Sequence, residues 1–175
     1  YEKMRKAGFN GILYNSYGPT ETTVTVTIDA LDGKQVTIGK PAGNTKIYML
    51  DWFDNVLPKY AKGELTILGD SVGRGYVGLE EMTKEKFVDY QGYKAYRSGD
   101  IAYWNQDGKI VHCGRNDNQI KLRGLRVELD EIENVMNRFE GIKRSVVLVK
   151  GEGNDQFLCG YYVADEAVDS EKLTA

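Results

Sequence analysis

The chain has 175 residues, 41% of them hydrophobic and 28% charged, with a formal net charge of -3. That length holds one medium domain or two small ones. The lack of a basic excess argues against a nucleic-acid or membrane-surface module, no apolar run approaches the ~20 residues of a membrane span, and a single histidine, His112, excludes a two-histidine metal site.

In chain order, residues 1–7 read as the end of a helix stopped by Gly8, as if the chain were cut there. Residues 11–15 read as a short buried strand. After a turn at Gly18-Pro19, residues 22–28 alternate β-branched side chains, which predicts a strand with Val24, Val26 and Ile28 on one face and threonines on the other. Strands are predicted at 45–51, 63–68, 93–97, 101–105 and 109–113, separated by turn signals at Asp54-Asn55, Lys62-Gly63 and Gln106-Asp107-Gly108. A short helix at 83–88, capped by Thr83, interrupts them. This region reads as an antiparallel, barrel-like β unit.

Charged residues crowd 115–126. A helix then places Leu129, Ile132, Val135, Met136 and Phe139 on one face, capped by Asp130 or Glu128 and ended by Gly141. Strands follow at 145–150 and 157–164, and Ser170 opens what reads as another helix, cut where the sequence stops. The expected fold class is α+β: a β-barrel-like subdomain over 1–115 followed by a small α+β subdomain over 116–175, with the boundary near 116–119. Cys113 and Cys159 lack CxxC spacing and read as free buried thiols in a reducing, cytoplasmic setting.

Four segments draw attention as chemistry. Asn15-Ser16-Tyr17-Gly18-Pro19-Thr20-Glu21 offers an amide, a ring, hydroxyls and a carboxylate from one loop. Tyr17 can stack on a purine and Glu21 can hold Mg²⁺, which favours hard oxygen ligands; a hairpin turn with incidental polar residues explains the segment equally. Tyr96-Arg97-Ser98-Gly99-Asp100 puts a carboxylate after a glycine, fit to accept the hydroxyls of a ribose or simply to make a turn. Arg115, Lys121, Arg123 and Arg126 suit anion binding, or a solvated ribbon paired with Glu128 and Glu131. The glycines of 63–76 read as structural.

Taken together and in this order, these segments closely resemble the adenylation domain of nonribosomal peptide synthetases, within the adenylate-forming ligases, over nearly the whole chain from Asn15 to about Ala164. D-alanine–carrier protein ligases and acyl-CoA ligases are the competitors inside that superfamily, and a non-catalytic nucleotide-binding or docking remnant is the competitor outside it. The resemblance implies ATP-dependent activation of an amino acid as its adenylate, then transfer to the phosphopantetheine of a peptidyl carrier protein, with a condensation domain as a further partner of the same synthetase. ATP or AMP and Mg²⁺ are the implied ligands; nucleic acid and membrane are not.

By position the resemblance implies that Tyr17 stacks on adenine, Asn15 meets the adenine amino group, Thr20 binds phosphate and Glu21 holds Mg²⁺. Gly18 belongs to the same nucleotide loop. Asp100 would take the ribose hydroxyls, with Arg115 nearby. Thr20, Glu21 and Lys121 are the catalytic candidates. Ser16, Val24 and Thr25 match the amino-acid pocket and carry no charge. Asp117 matches the hinge of the small subdomain, and Lys121 and Gly124 match the segment facing the site in the thioester-forming state. The family's phosphate loop, its pocket aspartate and its C-terminal lysine would fall outside these residues, so the 175 residues alone are expected to be inactive in pyrophosphate exchange. Asp130 replaces a usual glycine and Ser98 a usual threonine. His112 is expected to play only a strand role.

Overall fold

The computed structural model describes residues 1–123, 125–166 and 168, and only the backbone of Lys121, Arg126 and Asn154. Contacts divide the chain into two compact units, Tyr1–Asn116 and Asp117–Ala175. The predicted helix at Ser170 and the candidate Gly124 lie outside the described residues.

In the first unit, α1 (Glu2–Lys6) ends where Gly8 takes φ +85° and donates its N–H to the Arg5 carbonyl at 3.0 Å. Strands β1 (Tyr14–Tyr17), β2 (Thr27–Ala30) and β3 (Lys40–Pro41) form one antiparallel sheet in that order. A five-stranded antiparallel sheet follows: β4 (Thr45–Leu50), β5 (Gly63–Gly69), β6 (Phe87–Tyr90), β7 (Tyr93–Trp104) and β8 (Ile110–Arg115). Its order is β4-β5-β7-β6, with β8 pairing the far half of β7. Ile110 joins the two sheets, accepting the Ile38 N–H at 2.9 Å and donating to the Gly39 carbonyl at 2.8 Å. The fold is mostly β, and the larger sheet curls as a half-barrel. Its core is Val26, Ile47, Met49, Leu65, Ile67, Tyr96, Ala102 and Ile110, each large aliphatic side chain stabilising by roughly 1.5–3 kcal/mol when fully buried.

Sequence reading split β7 into two strands at Ser98-Gly99-Asp100. The strand instead runs through, and the pairing with β5 slips between Glu64 and Thr66. Gly99 takes φ +74°, and its N–H is held by the Glu64 carboxylate at 3.1 Å, which also accepts from Arg97 at 3.0 Å. Such bulges re-aim a side chain without ending the strand, and the one aimed here is Asp100.

Residues 22–28 do not form the predicted strand. Thr20–Thr22 make a single 3₁₀ turn, Thr23 and Val24 take φ 64° and 71°, and only Thr27–Ala30 pair. Val24 and Ile28 are exposed while Val26, Thr22 and Thr27 are buried. The reason is Gly18: a Cβ there would lie 2.4 Å from the Val24 carbonyl oxygen, so the loop folds back on itself rather than extending. Strand β1 begins later than predicted and alternates exposed and half-buried side chains, so it is not a buried strand. The interrupting helix, α2 (Glu80–Lys86), starts earlier, and Thr83 sits inside it. The Thr83 hydroxyl accepts the Tyr76 N–H at 2.9 Å instead of capping.

The second unit has a hairpin of β9 (Gln119–Leu122) and β10 (Leu125–Glu128), then α3 (Leu129–Asn137), then a hairpin of β11 (Ile142–Lys150) and β12 (Phe157–Ala164). The charged ribbon 115–126 hid the first hairpin from sequence reading. Leu129, Met136 and Val147 form its core, packed by Ile120, Val127, Ile132, Val149 and Leu158. Val135 is exposed despite its place in the predicted stripe. Neither Glu128 nor Asp130 caps α3: the Glu128 carboxylate accepts from Gln119, and Asp130 from Asn118 at 2.7 Å. The helix stops at Asn137, before Gly141, where Gly141 (φ +91°) then turns the chain into β11. Both cysteines are free, but Cys113 is exposed and Cys159 half-buried, so neither is a core thiol. Among the described residues no helix is long and apolar enough to cross a membrane.

Candidate functional site

Asp100 is 6% exposed and gathers three donors from two strands. Tyr17 of β1 donates its hydroxyl to Oδ2. Arg115 of β8, its register partner, donates from Nη1 to Oδ1 at 3.0 Å and from Nη2 to the Ser98 carbonyl at 3.0 Å. His112 Nε2 lies 3.1 Å from Oδ1. Behind the carboxylate, Ser98 Oγ accepts the Asp100 N–H at 3.1 Å and donates to the Leu65 carbonyl at 2.6 Å. Burial works to raise this carboxyl, but the His112 and Tyr17 hydrogen bonds and the Arg115 charge outweigh it and hold Asp100 below the usual carboxylate range. Burial first, then the Asp100 charge, pushes the Tyr17 phenol up, which keeps it a donor. The Tyr17 and His112 rings lie 6.1 Å apart, tilted by 44°.

The resemblance placed Arg115 near Asp100 and Tyr17 in the nucleotide loop, and the fold brings all three together. It also adds His112, which had been expected to play only a strand role. The chain offers no local signal for that addition, because the register slip between Asp100 and Ala102 in the β7–β8 pairing decides which β8 side chain faces Asp100.

Glu21 belongs to a neighbouring cluster. Its Oε1 accepts the Tyr76 hydroxyl at 2.6 Å, and its carbonyl accepts the Gly73 N–H at 2.7 Å. Burial, then the Glu21 hydrogen bond, raises the Tyr76 phenol above its ordinary value. Tyr76 packs edge-on against Phe87, with centroids 5.3 Å apart, and its hydroxyl is 3.5 Å from that of Tyr96. The glycines around 73–76, read as structural, therefore also carry the residue that orients Glu21. A shallow groove lined by Arg74, Tyr76, Val77, Glu80, Thr83 and Lys84 opens beside this cluster. Among the described residues no group of three or more His, Cys, Asp or Glu side chains could hold a metal by itself. One carboxylate suffices for an ion that takes its other ligands from phosphates and water, as Mg²⁺ does, so Glu21 fits that role.

Asn15 stands on the same face of β1 as Tyr17, and its Nδ2 donates to the Thr37 carbonyl at 2.7 Å. Ser16, on the opposite face, lies with its hydroxyl 3.0 Å from that of Thr25. Val24 is exposed beside them, and Thr20 is exposed at the start of the 3₁₀ turn. Gly18 has a steric role set by the Val24 backbone, whatever it does for a ligand. In the second unit, Asp117 Oδ1 accepts the Gln119 N–H at 3.2 Å. The backbone of Lys121 pairs with Arg126 across the β9–β10 hairpin; the Lys121 side chain lies outside the described residues.

Residues 1–77 match the family described as AMP-binding enzyme. The chain is 43% identical to tyrocidine synthase 3 of Brevibacillus parabrevis, over 92% of its own length and 3% of that protein. It is 40% identical to surfactin synthase subunit 2 of Bacillus subtilis (strain 168), over 98% of its length and 5% of that protein. This chain is a portion of a nonribosomal peptide synthetase adenylation domain, in the AMP-binding family. The fold agrees. PA1221, an NRPS protein containing adenylation and PCP domains, superposes with a TM-score of 0.82 at 27% identity, over 97% of this chain and 36% of that one. AB3403, a four-domain nonribosomal peptide synthetase bound to AMP and glycine, gives a TM-score of 0.59 at 40% identity, over 91% of this chain and 13% of that one. The chain spans only 3% and 5% of the length of these two curated relatives.

Proposed function

We propose that the parent protein activates an amino acid with ATP as its aminoacyl-adenylate and passes it to the phosphopantetheine thiol of a peptidyl carrier protein. The observation that carries this is the meeting of Tyr17, His112 and Arg115 on one buried, ionised carboxylate, Asp100. An ionised carboxylate is acceptor-only, with about four lone-pair directions. Three donors leave about one. A ribose binding through two hydroxyls therefore takes the free direction and displaces one donor. Tyr17 is the donor that leaves, turning its ring to stack on the base. Arg115 stays and keeps the carboxylate charged.

In the first half-reaction a substrate carboxylate oxygen bonds to the α-phosphorus of ATP, and the bond to pyrophosphate breaks. In the second, the carrier thiol bonds to the acyl carbon and AMP leaves. Mg²⁺, when bound, neutralises phosphate charge. Glu21 would hold it, with Tyr76 orienting the carboxylate, and Thr20 would donate to a phosphate oxygen. Asn15 would meet the adenine amino group. Ser16, Val24 and Thr25 would line an uncharged amino-acid pocket.

The division of the chain after Asn116 supports the domain reading, in which residues 1–115 would be the end of the large adenylation subdomain and 116–175 the start of the small mobile one. Asp117 would be its hinge, and Lys121 and Gly124 would face the site in the thioester-forming state. A cytoplasmic setting and a condensation-domain partner belong to the same reading. The test is ATP–pyrophosphate exchange by the full-length protein across a panel of amino acids. Exchange that depends on one amino acid supports the proposal. Exchange that needs an acyl or aryl acid instead, or no exchange with any acid, overturns it.

A further inference from the structure

Beneath Asn15 lies a buried polar cluster that the nucleotide reading does not use. Asp29 sits directly across the β1–β2 ladder from Asn15 and is 5% exposed. Its Oδ1 pairs with Lys109 Nζ at 2.7 Å, and its Oδ2 accepts the Thr37 hydroxyl. Thr37 is 2% exposed. Its hydroxyl also accepts the Gly39 N–H at 3.2 Å, and Gly39 is pressed so close to β2 that a Cβ would lie 1.9 Å from the Ile28 carbonyl oxygen. The Ile38 and Ile110 hydrogen bonds fix the next residues of the same segment. The Thr37 main chain is thus held on both sides, and its carbonyl is the group that Asn15 meets.

A carbonyl only accepts, so the amide of Asn15 must turn its NH₂ toward Thr37 and its Oδ1 away. We propose that the Asp29–Thr37–Lys109 cluster is a positioning unit that fixes the Asn15 amide with its oxygen outward, and that it thereby makes the site select a purine bearing a 6-amino group over one bearing a 6-oxo group. The inference rests on the proposed contact of Asn15 with the adenine amino group and names what orients that contact. An outward oxygen pairs with an amino donor and meets a 6-oxo acceptor with repulsion. A free amide flips to suit either base; a tethered one discriminates.

ATP and inosine triphosphate differ at that position and in the proton that the 6-oxo base carries on the adjoining N1, so they are the probes. In the full-length protein, the ratio of kcat/KM for ATP to that for inosine triphosphate is measured in the wild type, Thr37→Val and Thr37→Ser. Valine keeps the shape and removes the hydroxyl; serine keeps the hydroxyl. Thr37→Val is expected to lower the ratio about tenfold, the worth of one well-made hydrogen bond, and Thr37→Ser to preserve it. Asp29→Asn, which weakens the same tether from its other end, is the second variant and is expected to lower the ratio in the same direction. A Thr37→Val protein that loses both nucleotides equally, or keeps the ratio, overturns the inference and leaves the adenylation reading standing. A wild type indifferent to the two nucleotides overturns it as well. A wild type that uses neither nucleotide brings down the adenylation reading, and this inference with it.

Discussion

The first unit encloses two carboxylates, Asp29 and Asp100, at 5% and 6% exposure. The second unit keeps Glu128, Asp130 and Asp165 at the surface, and its core reduces to Leu129, Met136 and Val147 with a partly buried fringe. Charge inside a protein is tolerated only where an opposite charge and hydrogen bonds offset its desolvation, and supplying them takes several strands converging on one point. The five-stranded sheet and its three-stranded neighbour provide that convergence. A helix flanked by two hairpins does not. The chemistry therefore gathers where the scaffold can desolvate a charge, and the second unit offers backbone and exposed charges instead.

The sharpest way to break this contrast is to remove one interior charge and one surface charge. Asp100→Ala removes the carboxylate that Arg115, Tyr17 and His112 share. It should cost the first unit about 2–4 kcal/mol, in line with breaking a mostly buried pair, and weaken AMP binding by the full-length protein roughly a hundredfold, the worth of two charge-assisted hydrogen bonds. Asp165→Ala removes the exposed partner of Lys143 and should leave the melting curve unchanged, because exposed pairs contribute little. Equal losses in thermal denaturation would show that burial is not what separates the units.

Acid should separate them next. Burial works to raise both carboxyls, but the Lys109 and Thr37 hydrogen bonds on Asp29 and the His112 and Tyr17 hydrogen bonds on Asp100 outweigh it and hold both below the usual carboxylate range in the folded chain. A carboxyl whose folded pKa lies under its unfolded value adds stability that is fully present above the unfolded value and is lost as pH falls through the folded one. Amide exchange protection in β5 and β7 should therefore hold from neutral pH down to about pH 4 and fall away below it. Protection in β11 and β12 should show no such step. A flat profile in β7 through pH 3 would contradict the role given to Asp100.

Much of this is legible in the sequence alone. The strand at 157–164 coincides with β12, and those at 45–51 and 63–68 nearly match β4 and β5, because their alternation and turn residues agree. Tyr17, Asp100 and Arg115 were each named from their motifs. Three things were not legible, each for a physical reason. The β-branched run 22–28 carries strand propensity, but the close approach of Gly18 to the Val24 backbone forces a turn that propensity does not encode. His112 and Tyr76 reach Asp100 and Glu21 through strand register and a folded-back loop, contacts 12 and 55 residues long. The β9–β10 hairpin lies in a sequence whose charges resemble those of a solvated ribbon, and only its pairing reveals it.

Tyr76→Phe tests a smaller effect inside the first unit. The phenol oxygen 2.6 Å from Glu21 is the group that aims the carboxylate. Losing it should raise the Mg²⁺ concentration needed for half-maximal exchange roughly tenfold, the usual consequence of removing an orienting partner. AMP affinity measured without the metal should not change. A uniform fall in both would assign Tyr76 to packing against Phe87 and Tyr96 alone.

The smallest effect concerns backbone strain, which both units carry in different measure. Thr23 and Val24 are consecutive β-branched residues at φ 64° and 71°, whereas Arg123, unbranched at Cβ, takes φ 50° in the β9–β10 turn. Left-handed backbone costs an L-residue about 1–2 kcal/mol, and branching at Cβ adds crowding that Arg123 does not feel. Glycine relieves that cost but gives back roughly 0.5–1 kcal/mol in unfolded-chain entropy. Val24 is 70% exposed, so truncation forfeits little burial. Val24→Gly should therefore raise stability by up to about 1 kcal/mol, more than Arg123→Gly does, as read from thermal denaturation. If Val24 also lines the amino-acid pocket, the same variant in the full-length protein changes which amino acid supports exchange while its stability holds or rises. A destabilised Val24→Gly would mean that this side chain packs in a way its exposure does not reveal. A stabilised variant with an unaltered amino-acid profile would remove Val24 from the pocket and leave Ser16 and Thr25, joined by their hydroxyls, as its floor.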